Sequence, residues 1–195
     1  MSFARSCSLT VLLLALGLPS LALAHTGIGH GFMQGVAHPI GGVDHLLAMV
    51  AVGLLAGRAD RAVLWQIPAS FIALMAGGTL IGMTGISLPF IEAGIALSIV
   101  TFGLMLASKR NPTLLLTTFA VGFFALFHGH AHGTEVLESV SGVAYVTGLL
   151  SMSALLHACG AVIAMLLMRM HQDSALRFSG SALAVAGAGL FAVLL

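Results

Sequence analysis

The sequence predicts an all-α integral membrane protein: a bundle of six transmembrane helices that follows a cleaved N-terminal signal peptide. Of the 195 residues, 59% are hydrophobic and only 7% are charged, which lies outside the range of ordinary soluble domains. Six apolar runs each have about the 20 residues that a helix needs to cross a bilayer. Because these runs are continuously apolar and do not alternate, they favour helices over the strands of a membrane barrel.

Residues 1–24 have the pattern of a secretory signal peptide. Arg5 precedes an apolar run over 9–18, and the small residues Ala22 and Ala24 end the segment. Cleavage after Ala24 leaves residues 25–195 as a single transmembrane domain in which Cys159 is the one cysteine, so no intramolecular disulfide is expected. The alternative is that the segment stays uncleaved as a further membrane helix. The six predicted spans after it cover residues 35–56, 62–83, 88–107, 113–132, 140–168 and 178–195.

The basic residues predict the orientation of the spans. With the mature N-terminus outside, every Lys and Arg after residue 24 falls in a loop that faces the cytoplasm, as the positive-inside rule requires. Both mature termini are then expected on the periplasmic side of a bacterial inner membrane. The net charge of +1 gives no reason to expect a nucleic acid partner, the lipid bilayer is the expected surrounding, and a homo-oligomer stays open. The basic residues are Arg58, Arg61, Lys109, Arg110, Arg169 and Arg177.

A polar motif interrupts the first predicted span. On a continuous helix, His38, Gly42, His45 and Met49 form one narrow stripe, with Asp44 beside it. A charged side chain at the centre of a bilayer costs about 3 kcal/mol or more, so an ionisable residue there indicates a functional site. Imidazole, carboxylate and thioether groups on one face are ligands for transition metals. We therefore predict a metal site on this span, with Met49 as a weaker candidate ligand.

A second motif ends the fourth predicted span. On a helix, His128, His132 and Glu135 share one face, while His130 points roughly the opposite way and is a weaker candidate. Both motifs lie toward the outer side of the predicted bundle, so their side chains are expected to pool around one cation. Two small residues would let another helix, expected to be the first span, approach closely. They are Gly129 and Gly133.

Four further residues are weaker candidate ligands. Glu92 lies at a similar height on the third span, whereas His157 lies deeper on the fifth. His157 is predicted either as an exit-side ligand or as a core residue hydrogen-bonded to a neighbour such as Ser153. After cleavage His25 would offer an α-amino group and an imidazole, with His30 nearby, as a capture site at the outer mouth. The alternative for these two is a flexible tail with incidental histidines.

Together the two motifs resemble those of the HupE/UreJ family, and the resemblance extends over the whole chain. It implies a secondary permease for nickel, in some cases cobalt, that supplies hydrogenase or urease maturation. The motifs are His38-Pro39-x-x-Gly42-x-Asp44-His45 and Phe127-His128-Gly129-x-Ala131-His132-Gly133-x-Glu135. Carried over by position, the transport residues would be His38, Asp44, His45, His128, His132 and Glu135.

The candidate ligands limit which metal ions the protein could carry, but they do not identify one ion. Imidazole with carboxylate suits Ni²⁺, Co²⁺, Zn²⁺ or Cu²⁺, and the resemblance supplies the preference for nickel. The sequence has no phosphate-binding loop of the Gly-x-x-x-x-Gly-Lys-[Ser/Thr] type, so ATP hydrolysis by that route is not expected. We expect no prosthetic group and no enzymatic activity, with the metal ion as cargo. The alternative classes are an intramembrane zinc hydrolase and a metal sensor or accessory membrane subunit.

Overall fold

The structure is a computed structural model that describes residues 31–136 and 141–195. The predicted signal peptide and the two tail histidines, His25 and His30, lie outside these residues. The described part of the chain is entirely helical apart from short connections. Its seven helices are α1 (Phe32–Gly41), α2 (Val43–Arg58), α3 (Gln66–Met83), α4 (Ile91–Ala107), α5 (Leu114–Val136), α6 (Gly142–Arg169) and α7 (Asp173–Val193).

The predicted all-α membrane protein is confirmed, whereas the number of spans is not. Helices α3, α5, α6 and α7 are long and apolar enough to cross a membrane, and α1 with α2 would add a fifth, broken span. Helix α4 is apolar but has 17 residues. At 1.5 Å per residue it is about 26 Å long, slightly less than the hydrocarbon thickness of about 30 Å. Six spans therefore remain a prediction.

The first predicted span, 35–56, is wrong as a continuous helix. Helices α1 and α2 meet at an angle of 87°, and Gly42 between them is extended, with φ −101° and ψ 120°. Two adjacent glycines, Gly41 and Gly42, weaken a helix by about 1 kcal/mol each. Asp44 then favours a new start, because its carboxylate accepts a hydrogen bond from the backbone N–H of His45 and sits at the positive end of α2.

Small residues set the helix pairings. Helix α5 packs along α3, α4 packs along α7, and α6 packs against both α1 and α2. A Cβ atom at Gly129 would collide with the backbone of Met75, and one at Gly133 with that of Thr79. The expectation that these glycines admit the first span is therefore wrong. They lie about 100° around the helix from His128 and His132, so α3 occupies their face.

Helix α6 holds the two halves of the broken span. A Cβ atom at Gly35 of α1 would meet the carbonyl oxygen of Tyr145, and the Cα of Gly53 of α2 lies beside Gly160. Because α6 is continuous over 28 residues, it fixes α1 and α2 along one support. The break at Gly42 is thereby directed toward α5, whose histidines lie opposite.

Candidate metal centre

Three imidazoles from three helices converge at the break. His38 lies on α1, His45 in the first turn of α2 and His132 on α5, and one ring nitrogen from each lies within 4.8 Å of the others. The ring of His132 lies 4.7 Å, centroid to centroid, from both other rings. Metal–nitrogen bonds of about 2.0–2.1 Å allow three nitrogens at such spacing to bind one ion after small side-chain rotations. We call these three residues the imidazole cluster.

The break produces this convergence, so the predicted helical stripe is wrong. His38 and His45 approach each other from helices that are nearly perpendicular, with ring centroids 5.7 Å apart. Met49, about one turn after His45 on α2, is fully buried in the apolar core with residues such as Phe71 and Leu149. A single straight helix would have kept His38 and His45 two turns apart along its axis. Met49 packs in the core instead of joining the cluster.

Asp44 orients the ring of His45. Its Oδ1 accepts a hydrogen bond from the backbone N–H of His45 (2.8 Å) and lies 3.0 Å from the ring Nδ1. Because a carboxylate only accepts, the hydrogen-bond pattern assigns the proton to Nδ1 and leaves a lone pair on Nε2. Nε2 is buried and has no hydrogen-bond partner among residues 31–136 and 141–195. A Cβ at Gly42 would lie 2.8 Å from Oδ1 of Asp44, so glycine leaves room for this carboxylate.

Glu135 closes the opposite side of the cluster. Its Oε2 lies 3.3 Å from Nε2 of His38 and 3.7 Å from Nδ1 of His132, and it accepts a hydrogen bond of 2.9 Å from the hydroxyl of Tyr145. The side chain of Glu135 is 46% exposed whereas that of His132 is fully buried. The cluster is therefore accessible at Glu135 and enclosed at His132. Sequence reasoning missed Tyr145, although it is the single tyrosine of the chain and a buried hydroxyl needs a partner.

His128 lies one helical turn beyond His132. Its ring centroid is 5.0 Å from that of His45. Ser98 donates its hydroxyl proton to the carbonyl of Ile95 (2.6 Å), and its oxygen lies 3.1 Å from Nε2 of His128. The hydroxyl can therefore only accept from His128, which leaves the Nδ1 lone pair free and buried. Sequence reasoning also missed Ser98, although a serine within an apolar span signals a polar contact.

A phenyl ring separates His128 from His157. Phe71 of α3 is fully buried, and its ring centroid lies 5.5 Å from that of His128 and 5.1 Å from that of His157. His157 is 1% exposed, and neither of its ring nitrogens has a partner in the described part of the chain. The alternative of a hydrogen bond to Ser153 is wrong, because the Ser153 hydroxyl also lacks a partner there.

Two weaker candidates lie outside the cluster. Nε2 of His130 donates to the carbonyl oxygen of Ile86 at 2.6 Å. His130 thus points away from His128 and His132, as its position on the helix predicted. Glu92 is exposed in the first turn of α4. It is not part of the imidazole cluster found among the described residues. In contrast, the structure brings together all six residues of the two motifs: His38, Asp44, His45, His128, His132 and Glu135.

The charges around the cluster are acidic. Asp44 and Glu135 flank the imidazoles, and the sequence has no lysine or arginine over residues 31–57 or 111–168. Fixed negative charges without basic neighbours raise the local concentration of cations. The arrangement can therefore attract a cation and offer it neutral nitrogen ligands.

Comparison with known proteins agrees with the motifs. The sequence matches the HupE / UreJ protein family over residues 12–190. It is 40% identical to Protein HupE of Rhizobium leguminosarum bv. viciae over 183 residues, which cover 93% of this chain and 96% of that protein. No solved structure matches the chain. With the family match spanning most of its length, the chain belongs to the HupE/UreJ family.

Proposed function

We propose that this protein is a membrane permease for divalent transition-metal ions, with Ni²⁺ as the preferred cargo and Co²⁺ as the second. The ion moves inward without ATP hydrolysis. One observation carries the proposal: three imidazole nitrogens lie within 4.8 Å of one another at a break between two membrane helices. Carboxylates flank them on both sides.

The chemistry of the ligands supports this class of cargo. Neutral imidazoles with carboxylates suit divalent nickel, cobalt, zinc and copper, whereas Cu⁺ prefers sulfur. Cys159 is exposed and is the one cysteine among the described residues, so a thiolate site for Cu⁺ has little support. The family resemblance supplies the preference for nickel among the divalent ions.

The gradient of exposure supports a route inward. A hydrated ion first meets Glu135 and His38, which are partly exposed, and then the buried rings of His45 and His132. The free nitrogen of His128 lies next along the route. Broken membrane helices form ion sites in many transporters, because the break frees polar groups inside the bundle. Several weak sites in series let an ion enter and still leave.

The alternative of a zinc hydrolase has less support. A hydrolase with a serine nucleophile needs a base beside the hydroxyl. The Ser151 hydroxyl donates to the carbonyl oxygen of Thr147, and that of Ser153 has no partner in the described residues. Neither serine pairs with a histidine or a carboxylate there. A metal-bound water could still attack a substrate, so metal accumulation is the measurement that separates the two classes.

Uptake of ⁶³Ni²⁺ tests the proposal directly. Cells expressing the wild type, Asp44→Asn or the matched control Asp173→Asn are compared, with membrane levels measured by immunoblot. Asp173 lies in the first turn of α7, where it offers the same chemistry on a different helix. Since residues that orient a metal ligand typically contribute 10–100-fold, Asp44→Asn should reduce uptake by about that factor, and Asp173→Asn should not.

Competition completes the test. Excess Co²⁺ should inhibit ⁶³Ni²⁺ uptake more strongly than excess Zn²⁺ if nickel and cobalt are the cargo. If wild-type cells accumulate no more metal than vector controls despite normal membrane levels, the permease proposal is overturned. Zinc-dependent cleavage of membrane substrates would then be assayed.

A further inference from the structure

We infer that His157 and Ser153 form a second, inner binding position for the transported ion, between the imidazole cluster and the predicted cytoplasmic face. This inference rests on the proposed function and deepens it, since it divides transport into capture at the outer cluster and transfer through an inner position. The two residues are four apart on α6, so they share one face of that helix.

Unsatisfied polar atoms carry the inference. Both ring nitrogens of His157 and the hydroxyl of Ser153 are buried without a hydrogen-bond partner in the described part of the chain. A buried polar group without a partner costs about 1–3 kcal/mol, and an apolar side chain at either position would avoid that cost. Two such groups on one helix face indicate that an ion or its water shell passes there.

The position continues the line of histidines. Phe71 is the one ring in direct contact with both His128 and His157 among the described aromatic and imidazole rings. On the outer side of this ring, His128 presents its free Nδ1; on the inner side, His157 presents two free nitrogens. An ion that leaves His128 therefore meets His157 next, after passing the edge of one aromatic side chain.

An open groove bordered by His157 extends toward the predicted cytoplasmic face. The groove has a volume of about 530 Å³, and mostly apolar side chains from α2, α3, α6 and the connection between α2 and α3 line it. It reaches the connection between α2 and α3, which carries Arg61, one of the residues that predict the cytoplasmic side. Beside several alanines, the lining residues are Leu64, Trp65, Pro68, Ile72 and His157.

The ligands predict a weak, transient site. One imidazole and one hydroxyl leave most of the coordination sphere to water, and the groove lining contains no carboxylate. Weak inner binding suits release, because an ion held too tightly would block transport. Loss of this position should therefore reduce the maximal rate of uptake, while capture at the outer cluster is retained.

Two substitutions of His157 separate ligand chemistry from packing. His157→Phe keeps a ring against Phe71 but removes both nitrogens, whereas His157→Cys loses the ring but keeps a metal ligand. We expect His157→Phe to lower the maximal rate of ⁶³Ni²⁺ uptake at least about tenfold with an unchanged KM, and His157→Cys to retain more of the rate than His157→Phe. Equilibrium dialysis of the purified full chain should give the same Kd for Ni²⁺ in both variants and the wild type.

The outcomes distinguish this inference from the proposed function. Absence of uptake by the wild type would overturn the proposed function and the inference with it. Normal wild-type uptake together with a normal rate in His157→Phe, or an equal loss in both variants, would overturn the inference alone. If His157→Phe does not reach the membrane, Ser153→Ala supplies the same readout: a reduced maximal rate supports the inner position, and an unchanged rate overturns it.

Discussion

Helix α5 carries histidines on two faces, and the two faces have different surroundings. One face carries His128 and His132, whose rings join the cluster of His38 and His45. The other carries His130, whose ring donates a hydrogen bond to the carbonyl oxygen of Ile86. The residue types and the depth are nearly the same, so the surroundings of each face decide what the imidazole does.

The neighbours of each ring distinguish the two faces. Both ring nitrogens of His132 lie buried without a hydrogen bond in the described residues, and its ring lies 4.7 Å from those of His38 and His45, with Glu135 3.7 Å away. Nε2 of His130 instead donates to a backbone carbonyl at 2.6 Å, and its Nδ1, although also without a partner there, is not part of the imidazole cluster. A metal ion can therefore find several ligands together beside His132, whereas His130 fastens α5 to the connection after α3. We call these the open face and the packed face of α5.

Truncating one histidine on each face of α5 tests the difference between the open face and the packed face, and it should have the largest effect. His132→Ala should reduce ⁶³Ni²⁺ uptake per molecule by about 100-fold or more, since a direct ligand is expected to exceed the 10–100-fold of residues that only orient one. His130→Ala should mainly lower the amount of protein in the membrane, because it removes a buried hydrogen bond worth about 1–3 kcal/mol. Uptake normalised to immunoblot signal gives both quantities.

Two results would contradict this prediction. If His130→Ala, at equal membrane level, loses uptake as completely as His132→Ala does, both faces take part in transport and the division is wrong. Retained uptake in His132→Ala would instead remove that residue from the metal site.

Proton competition should weaken transport through the open face. Lowering the pH from 7.5 to 5.5 should reduce uptake, because a proton and a metal ion compete for the same imidazole lone pair. His38 is the most exposed ring of the imidazole cluster, with a side chain that is 30% exposed, and its neighbours are Glu135, His45 and His132.

Vesicles with equal pH on both sides provide the cleanest measurement, because no proton gradient then contributes to the rate. Uptake should recover when the pH is returned to 7.5. A flat profile between 7.5 and 5.5 would argue against histidine ligation.

The sequence predicted the members of the site better than its geometry. Composition and apolar runs predicted a helical membrane protein, and spacing on a helix placed His128 and His132 on one face with His130 on another. These inferences are local, because a helix fixes which residues share a face. All six motif residues come together, although their role as metal ligands stays a prediction.

What the sequence did not predict depends on contacts between helices. The break at Gly42 separates His38 from the helix that carries His45 and Met49, so the three cannot form one stripe. A glycine pair within an apolar run does not by itself predict that the two helices meet at 87°. The partner of Gly129 was predicted as the first span, but α3 fills that face. Ser98 was missed because its function depends on a histidine 30 residues away in the sequence.

A glycine substitution tests the packed face. A Cβ at Gly129 would collide with the backbone of Met75 and lie 2.9 Å from the nitrogen of Thr79. Overpacking of this kind costs about 1–3 kcal/mol, so Gly129→Ala should reduce the membrane level about fivefold or more. Gly77→Ala on α3 is the matched control, since nothing lies within 4 Å of its added methyl group.

Thermal unfolding in detergent checks the same prediction without expression effects. Gly129→Ala should unfold at a lower temperature than Gly77→Ala. Equal stability of the two variants would mean that α3 and α5 can separate without loss, and the packed face would then not be structural.

The smallest expected effect concerns Ser98, which acts on the open face through His128. Its oxygen accepts from Nε2 and so keeps the free lone pair on Nδ1. Ser98→Ala leaves both nitrogens without a partner and removes this preference. The loss of one hydrogen bond, about 1 kcal/mol, should lower uptake about fivefold.

Ser70→Ala is the matched control, because Ser70 makes the same hydroxyl bond to the carbonyl three residues earlier but contacts no histidine ring. Comparing the two variants isolates the contact with His128 from the general cost of losing a serine in a membrane helix. A structural role for Ser98 would lower membrane level and leave uptake per molecule intact, whereas a positioning role lowers uptake per molecule. The open face would then extend at least one turn beyond the imidazole cluster, because Ser98, whose hydroxyl contacts His128, would affect the rate of uptake.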